Sequence, residues 1–218
     1  FIETYTLDLF SDFTYFLNDP VHGDQFHQHD RRTVSGFKAS QRWTSEFLGH
    51  PMDNEVGLQV RNDNISGLAL SHTEARQELG SGLDDQVLQT TEGLTFENRI
   101  QWSEFFRSVA GLREDLAQFT VRSGTAANSG QANASITSPK LSLVFGPWRD
   151  SEVYLSYGQG FHSNDARGTT ISVDPATGTP LSPVTPLVKA RGEEVGLRSS
   201  LLPRWQTTLA FWRLDLDS

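Results

Sequence analysis

Lys140–Asp165 reads KLSLVFGPWRDSEVYLSYGQGFHSND. Leu141, Leu143 and Phe145 alternate with Ser142, Val144 and Gly146, and Val153, Leu155 and Tyr157 alternate with Glu152, Tyr154, Ser156 and Gly158. Side chains two positions apart share one face of a strand, so both runs are extended, each with an apolar and a more polar face. The break Gly146-Pro147-Trp148-Arg149-Asp150 makes them a hairpin with a tight turn at one end. A long polar loop, Asn164–Pro186, follows the other end.

The same unit recurs outward from this hairpin. Upstream, residues 2–17 alternate, with Tyr5, Leu7, Leu9, Phe13, Tyr15 and Leu17 opposite Thr4, Thr6, Asp8, Asp12 and Thr14. At ~3.3 Å per residue this predicts a first strand of about 50 Å. A polar loop, Asn18–Asp30, carries His22, His27 and His29. Further strands are predicted at 32–45, 53–64, 85–102 and up to Val121, then beyond the hairpin at 188–200 and from about Thr207 onward. Ser71-His72-Thr73-Glu74 fits a helix capping box, whereas Leu68, Leu70 and the strands around them favour an extended hairpin arm over 67–79. Ser123–Ala134 reads as a loop.

Connections alternate on this reading, long after strands one, three, five and seven and short after two, four, six and eight. Trp43, Trp102, Trp148 and Trp205 each fall within a few residues of a short turn. Indole suits a membrane–water interface, being apolar over its body and wet at N–H. The predicted fold is therefore all-β: a segment of about nine strands of an antiparallel transmembrane barrel, with short periplasmic turns and long extracellular loops. Val56, Leu58, Val60, Leu155 and Leu197 are expected to face lipid, and Gln59, Ser156 and Gly196 the interior. The alternative is a soluble β-sandwich or solenoid, whose strands run to about five or six residues and whose loops need not alternate in length.

Composition agrees with a barrel. Only 36% of the 218 residues are hydrophobic, as expected where alternate residues alone meet lipid, and no stretch approaches a transmembrane helix. The net charge of −9 without a basic cluster argues against nucleic acid as a partner. There is no cysteine, hence no disulfide and no thiolate metal site. Phe1 and Ser218 both fall inside alternating runs, so the chain is expected to be part of one larger barrel domain, cut at both ends.

SPKLSLVFGPW (138–148), YGQGFHSNDARG (157–168), LVKARGEEVGLRS (187–199) and TLAFWRLDLDS (208–218) resemble the barrel of TonB-dependent outer-membrane receptors. NEVGLQVRNDNI (54–65) and GLTFENRIQW (93–102) fit the same family. The resemblance implies a barrel of about 22 strands whose lumen is filled by an N-terminal plug domain. It further implies location in the outer membrane of a Gram-negative-type bacterium, and import of a siderophore, cobalamin or another scarce nutrient with energy supplied through TonB. Membrane lipid, the plug, TonB and the nutrient would then be the partners. A passive porin lacks the plug, and a surface adhesion protein lacks a reason for the aromatic rim.

Four groups of residues offer chemistry. His22, His27 and His29 with Asp30 make an H-x4-H-x-H-D cluster with the donors for Zn²⁺, Cu²⁺ or Ni²⁺, or simply a solvated loop. His162, Asn164, Asp165 and Arg167 stand where a strand enters the longest loop, placed either to contact a ligand or to pin the loop root. Glu152, Glu194, Arg198, Arg213 and Asp215 are expected on the interior, as ion pairs or as contacts to a plug. Arg113 and Asp115 share a face and admit the same two roles. No nucleophile–base set or phosphate-cradling loop stands out, so the chain does not read as an enzyme, and no cofactor is implied.

Overall fold

The computed structural model describes residues 1–11, 15–202 and 204–217. Nine antiparallel strands form one sheet in sequential order. They are β1 (Ile2–Phe10), β2 (Phe26–Phe47), β3 (His50–Glu74), β4 (Gln77–Ser103), β5 (Phe106–Ser123), β6 (Gly130–Trp148), β7 (Ser151–Ser163), β8 (Leu187–Ser199) and β9 (Thr207–Leu216). A short helix, α1 (Ala166–Thr170), lies in the connection after β7. No helix among the described residues is long and apolar enough to cross a membrane.

The hairpin turns are tight because the strands twist. Leu48–Gly49, Ala75–Arg76 and Arg149–Asp150 each join two strands with positive φ at both residues. This conformation matches the right-handed twist of the flanking strands. Gly49 takes it at no steric cost, whereas Leu48, Ala75 and Arg76 accept left-handed strain in exchange for continuous pairing. Gly146, at φ 120°, sits where the β6–β7 register shifts between Phe145 and Trp148, and its N–H bonds the carbonyl of Phe105 in the neighbouring turn at 2.8 Å.

Three expectations change. The first strand ends at Phe10, and Asp12, Phe13 and Thr14 lie outside the described residues, as does Pro203 of the β8–β9 turn. β2 begins at Phe26 rather than 32, so His27 and His29 belong to a strand and not to a loop. Residues 67–79 form the hairpin arm that Leu68 and Leu70 favoured, not a helix. The 25 residues of β3 and 27 of β4 run on to the Ala75–Arg76 turn, so the connection after β3 is a long arm with a tight tip. β6 likewise starts at Gly130, inside the stretch read as a loop.

Register assigns the two faces. Val56 pairs with Phe96, and Leu58 lies between Ala39 and Leu94. Further along the sheet, Leu143–Leu155–Val195–Phe211 form one row and Phe145–Val153–Leu197–Leu209 the next. Most of these apolar residues are open, as in Leu155 (44% exposed) and Phe211 (69%), and Leu143, Phe145 and Val153 are half-buried among them. On the other face Asp63, Asp115, Val144 and Tyr154 are buried. Side chains converge on the concave side of a curved sheet and splay on the convex side, so this asymmetry makes the polar face concave. A convex apolar surface of this kind is costly in water.

Aromatic side chains gather at the short-turn end. Trp102 donates from Nε1 to Ser108 Oγ at 2.8 Å and meets Phe47 edge-on at 6.2 Å, and Trp148 stacks on Phe105 at 6.5 Å. At the opposite end an apolar cluster forms around Ile65, Val87, Phe119 and Val121, and Ala166 of α1 and Leu187 complete it. β6–β7 pairing stops at Lys140–Gly158, beside Pro139, which has no N–H to extend a ladder. Beyond that point α1 packs against β4, β5 and β6.

Candidate functional site

The rim where β7 ends is held by backbone and ionic contacts. Asn164 receives Thr185 and Pro186 from the far end of the loop: its Nδ2 donates to the Thr185 carbonyl at 2.7 Å, and its N–H to the Pro186 carbonyl at 2.9 Å. Asp165 caps α1 by accepting the Arg167 N–H at 2.9 Å. The Arg167 guanidinium returns a two-pronged contact to Asp165 at 3.0 and 2.7 Å and lies 3.8 Å from buried Asp85. That guanidinium is the main reason the Asp165 carboxyl titrates below the usual carboxylate range, against the opposing effect of burial.

Asn128, from the 3-10 turn Ala126–Asn128 after β5, stitches the loop to the rim. Its Oδ1 accepts the N–H groups of Ser172 and Val173, both at 3.0 Å, and its Nδ2 donates to the Val173 carbonyl at 2.9 Å. His162 is exposed near the long-connection end of β7, opposite Val188. So of the four rim residues singled out in the sequence, Asn164, Asp165 and Arg167 are occupied in holding the loop; His162 and Asp165 are both exposed, and His162 is the one that takes no part in that bonding. Asp85 and Asn128 were not legible as parts of this site, because their roles depend on strands and loops distant in the chain.

The concave face is lined with ion pairs. Glu152 accepts from Arg107 at 2.8 Å and from Arg198 at 3.3 Å. Tyr154 donates its hydroxyl to Glu194, while the Arg198 guanidinium lies 4.5 Å from the Tyr154 ring centre. Arg113 grips buried Asp115 with two bonds of 2.6 Å, and Arg61 grips buried Asp63 at 2.7 and 2.8 Å. In each of these last two pairs the partners are two residues apart on one strand face, which lets a guanidinium lie along its neighbour's carboxylate. Glu152, Glu194 and Arg198 are thus on the concave face. Arg213 and Asp215 are not: they pair in register with Glu193 and Arg191, on the side of Val195 and Phe211. They bond each other at 3.0–3.2 Å on the convex surface.

The histidines separate. His22 lies 2.9 Å from Glu74, while Asp30 is engaged by Arg32. His27 and His29 instead converge on Asp8, a residue of β1 that pairs directly with His29.

A sequence profile described as TonB dependent receptor-like, beta-barrel, matches residues 3–218. The chain belongs to this family. No curated protein sequence matches it. Among solved structures, this TonB-dependent receptor barrel superposes on FpvA of P. aeruginosa bound to heterologous pyoverdines with a TM-score of 0.71 at 13% identity, over 98% of this chain and 29% of that one. The alcaligin outer-membrane receptor FauA of Bordetella pertussis gives 0.62 at 16%, over 88% and 30%. The haemophore receptor HasR of Serratia marcescens, solved with its haemophore and haem, gives 0.63 at 15%, over 89% and 34%. At these identities the likeness is one of fold, and the chain spans about a third or less of each receptor's length. In a barrel wall of this family the convex apolar rows form the outside and the salt-bridged concave face the inside.

Proposed function

We propose that this chain forms part of the wall of an outer-membrane importer that takes up a scarce nutrient, such as a siderophore, cobalamin or metal complex, with energy delivered through TonB. The family match over residues 3–218 carries this reading. The physical arrangement supports it. A wall with a greasy outside and a polar, ion-paired inside separates lipid from a hydrated or protein-filled lumen. The long connections at one end form a rim on a rigid scaffold, where ligand contact commonly sits.

In this reading the long-loop end faces outside the cell, a plug domain of the same receptor packs against the concave face, and TonB acts on the plug. His162 is the rim residue free to meet the nutrient, either donating or accepting a hydrogen bond. Asn164, Asp165 and Arg167 hold the loop around it. No catalytic role is proposed.

Uptake by the intact receptor separates active import from a passive channel. Cells expressing it are supplied with a panel of labelled iron–siderophore, cobalamin and haem compounds, with and without functional TonB. Accumulation of one compound that is lost without TonB is the expected result. Equal accumulation in both strains overturns the coupled reading in favour of a porin.

A further inference from the structure

We propose that Asp8, His27 and His29 bind a divalent transition-metal ion, with Zn²⁺ as its simplest probe, on the outer surface of the barrel's extracellular extension. This site is separate from nutrient import. β2 runs unbroken from Phe37, on the convex face, through Ser35, Thr33 and Arg31 to His29 and His27, all of one parity. The cluster therefore faces away from the lumen, well above the apolar rows.

One ligand atom from each of the three residues lies within 4.8 Å of the others. His29 Nδ1 is 2.8 Å and His27 Nε2 3.1 Å from the same oxygen, Asp8 Oδ1. The strand register makes this convergence: Asp8 is directly opposite His29, and His27 follows two residues away on the same face. The His27 ring is fixed in plane by Phe10, stacked at 4.2 Å with an interplanar angle of 6°. Both imidazoles are largely covered, with His27 side chain 13% and His29 23% exposed.

The second nitrogen of His27 completes the case. Its Nδ1 is 3.4 Å from Glu78 Oε1 on β4. A neutral imidazole carries one N–H and cannot donate to Asp8 and Glu78 together. A cation on Nε2 removes that conflict, leaving Nδ1–H to bond Glu78, the carboxylate–histidine–metal arrangement that orients metal-bound imidazoles. The charges are favourable too, with the Asp8 carboxylate against the ion and the Glu78 carboxylate behind the His27 ring. Two nitrogens and a carboxylate oxygen suit Zn²⁺, Cu²⁺ or Ni²⁺ rather than Mg²⁺ or Ca²⁺. Such an ion would join β1, β2 and, through Glu78, the β3–β4 arm.

The test is calorimetric titration of Zn²⁺ into the intact, untagged receptor after chelator treatment, repeated with variants. Replacing His27 and His29 together by Ala should remove one tight Zn²⁺ equivalent. Glu78→Gln should weaken that equivalent by about 10–100-fold. His22→Ala, which touches Glu74 instead, should leave it unchanged. Should the double variant fail to give a heat-modifiable barrel, the near-isosteric Asp8→Asn takes its place and must weaken binding at least tenfold. Retention of the same number of tight sites by the double variant or, where it does not fold, unchanged affinity in Asp8→Asn overturns the site. Equal losses in His22→Ala and the double variant do so as well.

Discussion

Leu155→Arg in the intact receptor should cost about 2–4 kcal/mol of barrel stability, and Ser156→Arg, one residue along the same strand, much less. Leu155 stands in the convex row between Leu143 and Val195, with the Phe145–Val153–Leu197 row on its short-turn side and the Leu141–Tyr157–Glu193 row on the other. It therefore sits within the apolar band, where a guanidinium is kept from water and the one carboxylate nearby, Glu193 of the next row, is already set against Arg213. Ser156 points the opposite way. It bonds Ser142 at 2.9 Å, lies across from Glu194, and has Gly158 and Gly192 beside it, leaving room and a carboxylate for an introduced Arg. The yield of folded, heat-modifiable barrel checks the pair. Equal losses would mean that the two faces are wrongly assigned.

Gly196→Ala should destabilise the barrel by about 1–3 kcal/mol, although the added group is a single methyl. Gly196 is directly opposite Tyr154, whose ring lies over it, so an ideal Cβ would come within 2.2 Å of the ring carbon Cζ. The ring has little freedom to yield, because its hydroxyl bonds Glu194 and Arg198 rests on its face. The clash implies strong coupling between the two positions. In a Tyr154→Ala background the same Gly196→Ala change should cost almost nothing in a denaturant midpoint. Additive costs would show that the ring does not cover the glycine.

The alternation that predicts these faces was legible in β3 and in β6 to β8, where one parity is apolar and the other polar. It was not legible in β1, whose apolar Tyr5, Leu7 and Leu9 pair with Arg32, Asp30 and Gln28 and so lie on the concave side. Leu141/Leu143/Phe145, Val153/Leu155 and Val195/Leu197 all fall on one side, as their spacing requires. β9 is different, because Leu209 and Phe211 alternate with Ala210, Trp212 and Leu214, so both parities are apolar. Only its pairing with β8 decides, and that pairing puts Arg213 and Asp215 on the convex side. A one-residue slip reverses every side chain of a strand, which is why such a strand cannot be assigned alone.

Long-range pairing also limited what the sequence says of the sites. The H-x4-H-x-H-D spacing drew attention to residues that open β2, but it grouped His22 and Asp30 with His27 and His29 on adjacency alone. Asp8, the residue that joins the latter two, is nineteen positions from His27 in the chain. Its one sequence signal is its place on the polar phase of β1. At the rim, Asp165 and Arg167 were recognisable as a possible pair from their spacing, whereas the Asp85 and Asn128 contacts arise from folding the loop back across β4 and β5. The arm over 67–79 was legible from alternation, and its length shows that a long connection need not be a loop.

The central claim is that the apolar convex face crosses the membrane with the long connections outside the cell. This segment contains no cysteine, so single substitutions within it report on position directly. Ala176 lies exposed in the 164–186 connection, and Glu104 lies exposed in the short turn between β4 and β5. Ala176→Cys and Glu104→Cys receptors, with any native cysteines elsewhere replaced, are treated on intact cells with a polymer-linked maleimide too large for porins. Labelling at Ala176→Cys alone, joined by Glu104→Cys once the outer membrane is permeabilised, is the predicted result. Labelling of Glu104→Cys on intact cells while Ala176→Cys stays protected would contradict the orientation, and equal labelling of both would contradict the membrane crossing itself.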